Sequence, residues 1–185
     1  MSAWTQSRVQ TLEQVFAHIA ATRMRDVPVQ NHALRVQAVG FAPQADADGE
    51  WLLGVLVTPW FMNLVYLPLT VPGAGEAVAG GAVLGVGQKA SRQIGNERFE
   101  FIGAHEDGLG AFACCSLFSP MFEFADHAAA VATACEVLNL LRTPVPTQTP
   151  TAAPVPHGAV LAVEAAPSRR GFLFGRGGPR AGASA

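Results

Sequence analysis

An α+β fold, an antiparallel sheet flanked by an N-terminal and a C-terminal helix, follows from three features of the 185-residue chain. Apolar residues recur at helical spacing in Thr5 to Met24 and again in Ala125 to Leu141. Between these segments lie two pairs of apolar or alternating runs, each pair joined by a turn rich in Asp and Gly. The longest charge-free apolar run, Trp51 to Leu69, is broken by Pro59 and Pro68. Outer helical stripes around inner hairpins point to one antiparallel sheet with helices packed on it, not to a parallel βαβ array.

The first helix carries Val9, Leu12, Val15, Phe16, Ile19 and Met24, steps of three and four that gather one stripe. Thr5 is its N-cap candidate, and Asp26-Val27-Pro28 ends it, because the residue before a proline is pushed out of the helical region. Leu34 to Phe41 reads as a strand with Leu34, Val36 and Ala38 on one face and Arg35, Gln37, Val39 and Phe41 on the other. Pro43 to Gly49 turns the chain into Glu50 to Val57, giving a hairpin. Trp51 to Val57 has no charge and reads as a strand buried on both faces. At Pro59 the ladder loses a donor, so Thr58-Pro59-Trp60 is a bend or an edge.

From Pro68 to Gly87 the sequence thins into Pro, Gly, Ala and Val, and no regular structure is predicted there; Gly87 to Ile94 has the length of a short helix. Arg98 to Ile102 alternates, and Glu106-Asp107-Gly108 turns it into Leu109 to Phe118, a second hairpin. The last helix, Ala125 to Leu141, places Val131, Ala134, Cys135, Leu138 and Leu141 on one stripe, with Asp126-His127 as its entry pair. Residues 1–142 are thus expected to form a single domain. The Pro/Thr-rich segment after Arg142 opens a low-complexity tail, 143–185, expected to be disordered. Within it, Arg169-Arg170-Gly171-Phe172-Leu173-Phe174-Gly175-Arg176 is apolar and basic enough to read as a docking peptide.

Half of the residues are hydrophobic and 14% are charged. The usual charged share is about 25%, so the surface is unusually apolar and a partner-binding role gains weight. A net charge of −2 argues against a dedicated nucleic-acid binder. Thr58, Asn63 and two prolines interrupt the best candidate for a membrane span, and Met1 to Gln10 lacks a secretory pattern, which places the protein in the cytoplasm.

Reactive constellations are scarce. Cys114 and Cys115 are consecutive strand residues on opposite faces, so they do not share one ion, and Cys135 has no second ligand at helical spacing. The five histidines form no H-x-x-x-H pair. Asp46 and Asp48 before Gly49 suggest a calcium loop, but the twelfth position would be Val55 where a bidentate Glu is needed. Gly85-Val86-Gly87-Gln88-Lys89-Ala90 lacks both a parallel βαβ setting and the Lys-Ser/Thr of a phosphate loop. No G-x-S-x-G elbow accompanies Ser116 or Ser119. Neither metal nor cofactor is expected, and binding outweighs catalysis.

Three blocks carry a family resemblance: Thr58-Pro59-Trp60-Phe61-Met62-Asn63-Leu64, Phe99-Glu100-Phe101, and Cys115-Ser116-Leu117-Phe118-Ser119-Pro120-Met121-Phe122-Glu123-Phe124-Ala125-Asp126. In this order they resemble the HybE/HupJ family of [NiFe]-hydrogenase assembly chaperones. The likeness runs from Val9 to Leu141 and extends weakly to Phe172-Leu173-Phe174-Gly175-Arg176. Some members carry a fused rubredoxin with paired C-x-x-C motifs; this chain has none, so no iron site is carried over.

The resemblance implies a non-catalytic accessory protein that binds the small or the large subunit precursor of a [NiFe]-hydrogenase before export, and a homodimer is compatible with it. It also implies a fold like the type III secretion chaperones, in the order helix, three strands, helix, two strands, helix. The expected partner-binding residues are Pro59, Trp60, Phe61, Met62, Phe118, Met121 and Phe122, greasy side chains around the proline break. The alternative is a thiol-based redox or metal-handling maturation factor using Cys115, with Cys114 or Cys135 in support.

Overall fold

The N-terminal apolar stripe is realised as helix α1, Ala3–Ala21, in the computed structural model, which describes residues 3–46, 49–69 and 84–142. Strands β1 (Gln37–Asp46), β2 (Gly49–Val57), β3 (Met62–Pro68), β4 (Lys89–Ile94), β5 (Glu97–Glu106) and β6 (Gly110–Phe118) follow, and helix α2 spans His127–Arg142. The sheet order is β1-β2-β3-β6-β5-β4 with every neighbour antiparallel. Two three-stranded meanders therefore meet along one seam, β3 against β6.

Each face of the sheet has its own core. On one face, α1 contributes Leu12, Phe16 and Ile19 to a cluster with Phe41, Leu52, Leu56, Val65, Leu67, Leu109 and Phe112. On the other, α2 contributes Ala130, Ala134 and Leu138 to a cluster with Trp51, Leu53, Val55, Val57, Leu64, Tyr66 and Phe101. This is why Trp51 to Val57 reads as one apolar run: residues of both parities are buried. Where α2 gives out, Arg92 of β4 closes the aromatic cluster, its guanidinium carbon 5.1 Å from the Trp51 ring and 4.5 Å from the Tyr66 ring.

Several expectations are revised. Thr5 is no cap, since the helix already includes Ala3 and Trp4, and Thr5 is buried within it. The stripe also includes Arg8, a buried cation whose Nη1 donates to the Leu109 carbonyl at 3.0 Å; burial pushes its pKa down. In β1, Val39 and Phe41 enter opposite cores because Gly40, at φ +61°, makes a bulge between them. The bulge also lets α2 approach, as a Cβ on Gly40 would lie 2.6 Å from Leu138 Cδ1. The strand continues through Pro43 to Asp46, expected as turn, because those residues pair with β2 from Leu52 to Gly49. In α2, Cys135 is exposed; the buried stripe is His127, Ala130, Ala134 and Leu138.

The largest revision concerns Gly87 to Ile94. Lys89–Ile94 is strand β4, not helix, so the second meander has three strands where the resemblance implied two. Its side chains alternate, Lys89, Ser91 and Gln93 outward against Ala90, Arg92 and Ile94 inward, and each residue pairs in register with β5. Gly95, at φ +58°, opens a two-residue Gly95-Asn96 hairpin loop. The rest of the implied middle helix, residues 70–83, lies outside the described residues, as does the tail 143–185.

Candidate functional site: an aromatic lip at one end of the sheet

The first and third resembling blocks come together because β2 ends and β3 and β6 meet at the same end of the sheet. Val57 pairs with Met62, and Met62 with Phe118, so the 58–61 loop and the segment after Phe118 leave the sheet side by side. Thr58, fully buried, organises the first loop: its Oγ1 accepts the Phe61 N–H at 2.9 Å and donates to the Phe61 carbonyl at 2.9 Å. The proline interruption is thereby converted into a closed turn, with the Thr58 N–H also donating to the Phe61 carbonyl at 2.9 Å. The second segment begins with a cis Ser119–Pro120 bond, and Ser119 Oγ donates to the Trp60 carbonyl at 3.4 Å.

Asn31 ties the loops together. Its N–H donates to the Pro59 carbonyl at 2.8 Å, and its Nδ2 donates to the Met121 carbonyl at 3.0 Å and the Phe124 carbonyl at 2.8 Å. Its Oδ1 accepts the Ala33 N–H at 3.0 Å, fixing the side chain in an Asx turn. Sequence reasoning passed over this residue. The signal was an Asn two positions before a small residue in a stretch otherwise without structure, which is weak because loops often contain one.

The expected anchors separate into two groups. Met62 and Met121 are fully buried and Pro59 is buried, so these three belong to the core and are not available as gripping side chains. Met62 points into the α2-side cluster because strand parity puts it with Leu64 and Tyr66. Trp60, Phe61 and Phe118 are half-buried, and Phe122 is 59% exposed. Trp60 packs edge-on to Phe61 and Phe61 edge-on to Phe16 of α1, with centroids 5.5 and 5.8 Å apart. Phe118 packs edge-on to Phe124 at 5.3 Å. The result is a lip of aromatic rims braced from behind, Trp60 and Phe61 on the α1 side and Phe118 on the α2 side, with exposed Phe122 on the segment that follows Phe118.

The cysteines do not converge. Cys114 packs against the α1-side core and Cys115 against the α2-side core, so adjacent thiols face apart. Burial pushes both thiols up, Cys114 further through Cys115 and Cys115 further through Glu100, which disfavours the reactive thiolate. Among the described residues, no three His, Cys, Asp or Glu side chains are grouped to hold a metal ion. An open pocket of about 450 Å³ between α1 and the β5–β6 turn is lined by His18, Thr22, Arg23, Glu106 and Asp107. There Arg23 and Glu106 pair at 2.6 Å. No described helix is long and apolar enough to cross a membrane.

The fold is that of a solved protein, HybE from Escherichia coli. Its solution structure matches this chain with a TM-score of 0.54, covering 93% of this chain and 91% of that one at 20% identity. The family model described as "[NiFe]-hydrogenase assembly, chaperone, HybE" matches residues 7–175, and the chain belongs to that family. Protein HoxT of Cupriavidus necator is 50% identical over 177 residues, 91% of this chain and 89% of that one. The hydrogenase expression/formation protein HupJ of Bradyrhizobium diazoefficiens is 40% identical over 134 residues, 70% of this chain and 68% of that one.

Proposed function

We propose that this chain is a non-catalytic cytoplasmic chaperone that binds a [NiFe]-hydrogenase subunit precursor, small or large, through the aromatic lip while the enzyme is assembled and before export. Residues 1–142 act as the chaperone domain and 143–185 as an appended tail. The observation that carries this reading is Phe122, a large apolar side chain left 59% exposed on a segment that Asn31 ties to the loop bearing Trp60 and Phe61, itself closed by Thr58. Exposed aromatics on a braced frame lose little conformational freedom on binding, and such residues dominate interface energies.

The test is co-purification of the tagged full chain with subunit precursors from cells making the hydrogenase, comparing wild type with a Trp60→Ala/Phe122→Ala double variant. Recovery of a precursor by the wild type and its loss by the double variant, with thermal stability retained, supports the lip. Recovery undiminished in the double variant moves the binding surface elsewhere, and failure of the wild type to retain any precursor removes the reading.

A further inference from the structure

We infer that strand β4, Lys89–Ile94, docks against β4 of a second copy of this chain, the two strands pairing antiparallel about a two-fold axis at Ser91. The inference does not rest on the chaperone reading; it assigns a self-association surface which that reading leaves open.

The first observation is a difference between the two edges of the sheet, β1 and β4. Along β1 the main-chain groups are capped. The Ala38 N–H donates to Glu13 Oε1 at 2.7 Å, the Gly40 carbonyl accepts from Arg142, Pro43 has no N–H, and the Gly40 bulge bends the strand.

Strand β4 has no such guards. The Gly103 N–H donates to the Gln88 carbonyl and the Gly103 carbonyl accepts from the Gly87 N–H, both at 2.8 Å, so the main chain of Gly103 faces the β4 side. Alternation along β5 turns Phe101, Phe99 and Glu97 to the same side, against Ala90, Arg92 and Ile94. The N–H and C=O groups of Lys89, Ser91 and Gln93 therefore point away from the sheet, with no main-chain partner among the described residues. The two cations of the strand do not guard it either. Lys89 is held by Glu100 of β5 at 2.9 Å, and Arg92 lies over the Trp51 and Tyr66 rings.

The second observation is that β4 fits itself. With Ser91 opposite Ser91, Lys89 meets Gln93 and Ala90 meets Arg92, so no like charges face each other across the axis. Lys89, Ser91 and Gln93 each then give and take one main-chain bond. A register centred on Arg92 would set guanidinium against guanidinium, and one centred on Ala90 would carry Gln93 past the start of the facing strand. The axis at Ser91 also brings the turn before β4 towards the Gly95-Asn96 loop of the other copy. That turn carries Val86, at 76% the most exposed large apolar side chain among the described residues. A six-residue edge buries less than the roughly 1,200 Å² of a lasting complex, so the pair forms and parts with concentration.

Sedimentation velocity of the purified full chain, from low micromolar to submillimolar concentration, tests this. Wild type is expected to pass from monomer to dimer. Ser91→Pro removes an outward N–H without touching the β5 ladder, and Ser91→Glu sets carboxylates against each other across the axis, beside Glu100 of each copy. Each is expected to raise the dissociation constant at least about tenfold with an unchanged melting temperature. Mixing Ser91→Glu with Ser91→Lys restores the dimer; should Ser91→Pro lower the melting temperature, this pair decides alone. Wild type that stays monomeric throughout overturns the inference, as do variants that associate like wild type or a Glu/Lys mixture that stays monomeric. A monomeric wild type whose capture of precursor is lost in Ser91→Pro also overturns it, in favour of an extended strand of the precursor as the occupant. The chaperone reading is tested separately by the Trp60→Ala/Phe122→Ala comparison, so failure here leaves it standing.

Discussion

The two meanders share one hydrogen-bonding pattern and differ in what covers them. In β2 and β3 nearly every side chain is buried, because helices lie on both faces. In β4 and β5 alternate residues face water: Lys89, Ser91, Gln93, Arg98, Glu100 and Ile102 are exposed, the last by 42%. The contrast shows that burial here is decided by helix placement and not by strand pairing. The lip lies where the sealed half ends, so its aromatics are braced by a dense core yet keep one edge in water.

The largest expected effects break the sealed half. Leu64→Ala and Met62→Ala each remove a fully buried side chain beneath α2 and should cost about 2–5 kcal/mol in urea denaturation. In the open half, Ile102→Ala should stay within about 0.5 kcal/mol. Equal losses at Leu64 and Ile102 would show that the two halves are not covered differently.

Asn31→Ala comes next. It strips partners from the Met121 and Phe124 carbonyls and should cost about 1–3 kcal/mol, with weaker partner binding even when Trp60 and Phe122 are intact. Loss of stability with affinity unchanged would mean that the loops need no staple to present their aromatics.

A pH scan sharpens the comparison at the α2 entrance. His127 is buried, its Nε2 2.8 Å from Gln37 Oε1, with the Arg35 N–H donating to Nδ1 at 3.4 Å. Burial, then the Arg35 charge, lowers its pKa below the ordinary 6.5, with Asp126 opposing. The unfolded chain therefore protonates first as pH falls. This stabilising contribution is complete above 6.5 and is lost as pH drops through 6.5 towards the folded value. His127→Gln should flatten the dependence of the urea midpoint between about pH 7 and 5; an unchanged slope would place the proton uptake on other groups.

The smallest effect is on thiol reactivity. Exposed Cys135 should alkylate first at neutral pH, with Cys114 and Cys115 lagging, followed by mass spectrometry of the intact chain. Rapid modification of Cys115 would revive the thiol-based alternative.

Much of this contrast was legible from residues alone. The parity-blind apolar run from Trp51 to Val57 announced a doubly covered strand, and Arg98-Phe99-Glu100-Phe101 announced a singly covered one. What escaped were features that depend on single glycines and on tertiary neighbours. Gly40 changes strand parity in β1 without altering composition, and Gly95-Asn96 makes a hairpin that Gly-rich surroundings obscured. The apolar character of both loops was plain, but Met62 and Met121 could not be separated from Trp60 and Phe122 by hydrophobicity, since all four are apolar. Only strand register and the fold-back after Pro120 decide which face inward.

The β3–β6 seam has a consequence of its own. Among the described residues it is the one line of strand pairing between the two meanders, and its upper end is Met62 opposite Phe118, at the root of the aromatic loops. Strain or slippage along that line therefore moves both jaws at once. Any ligand that wedges them apart is working against the ladder that joins the two halves of the sheet.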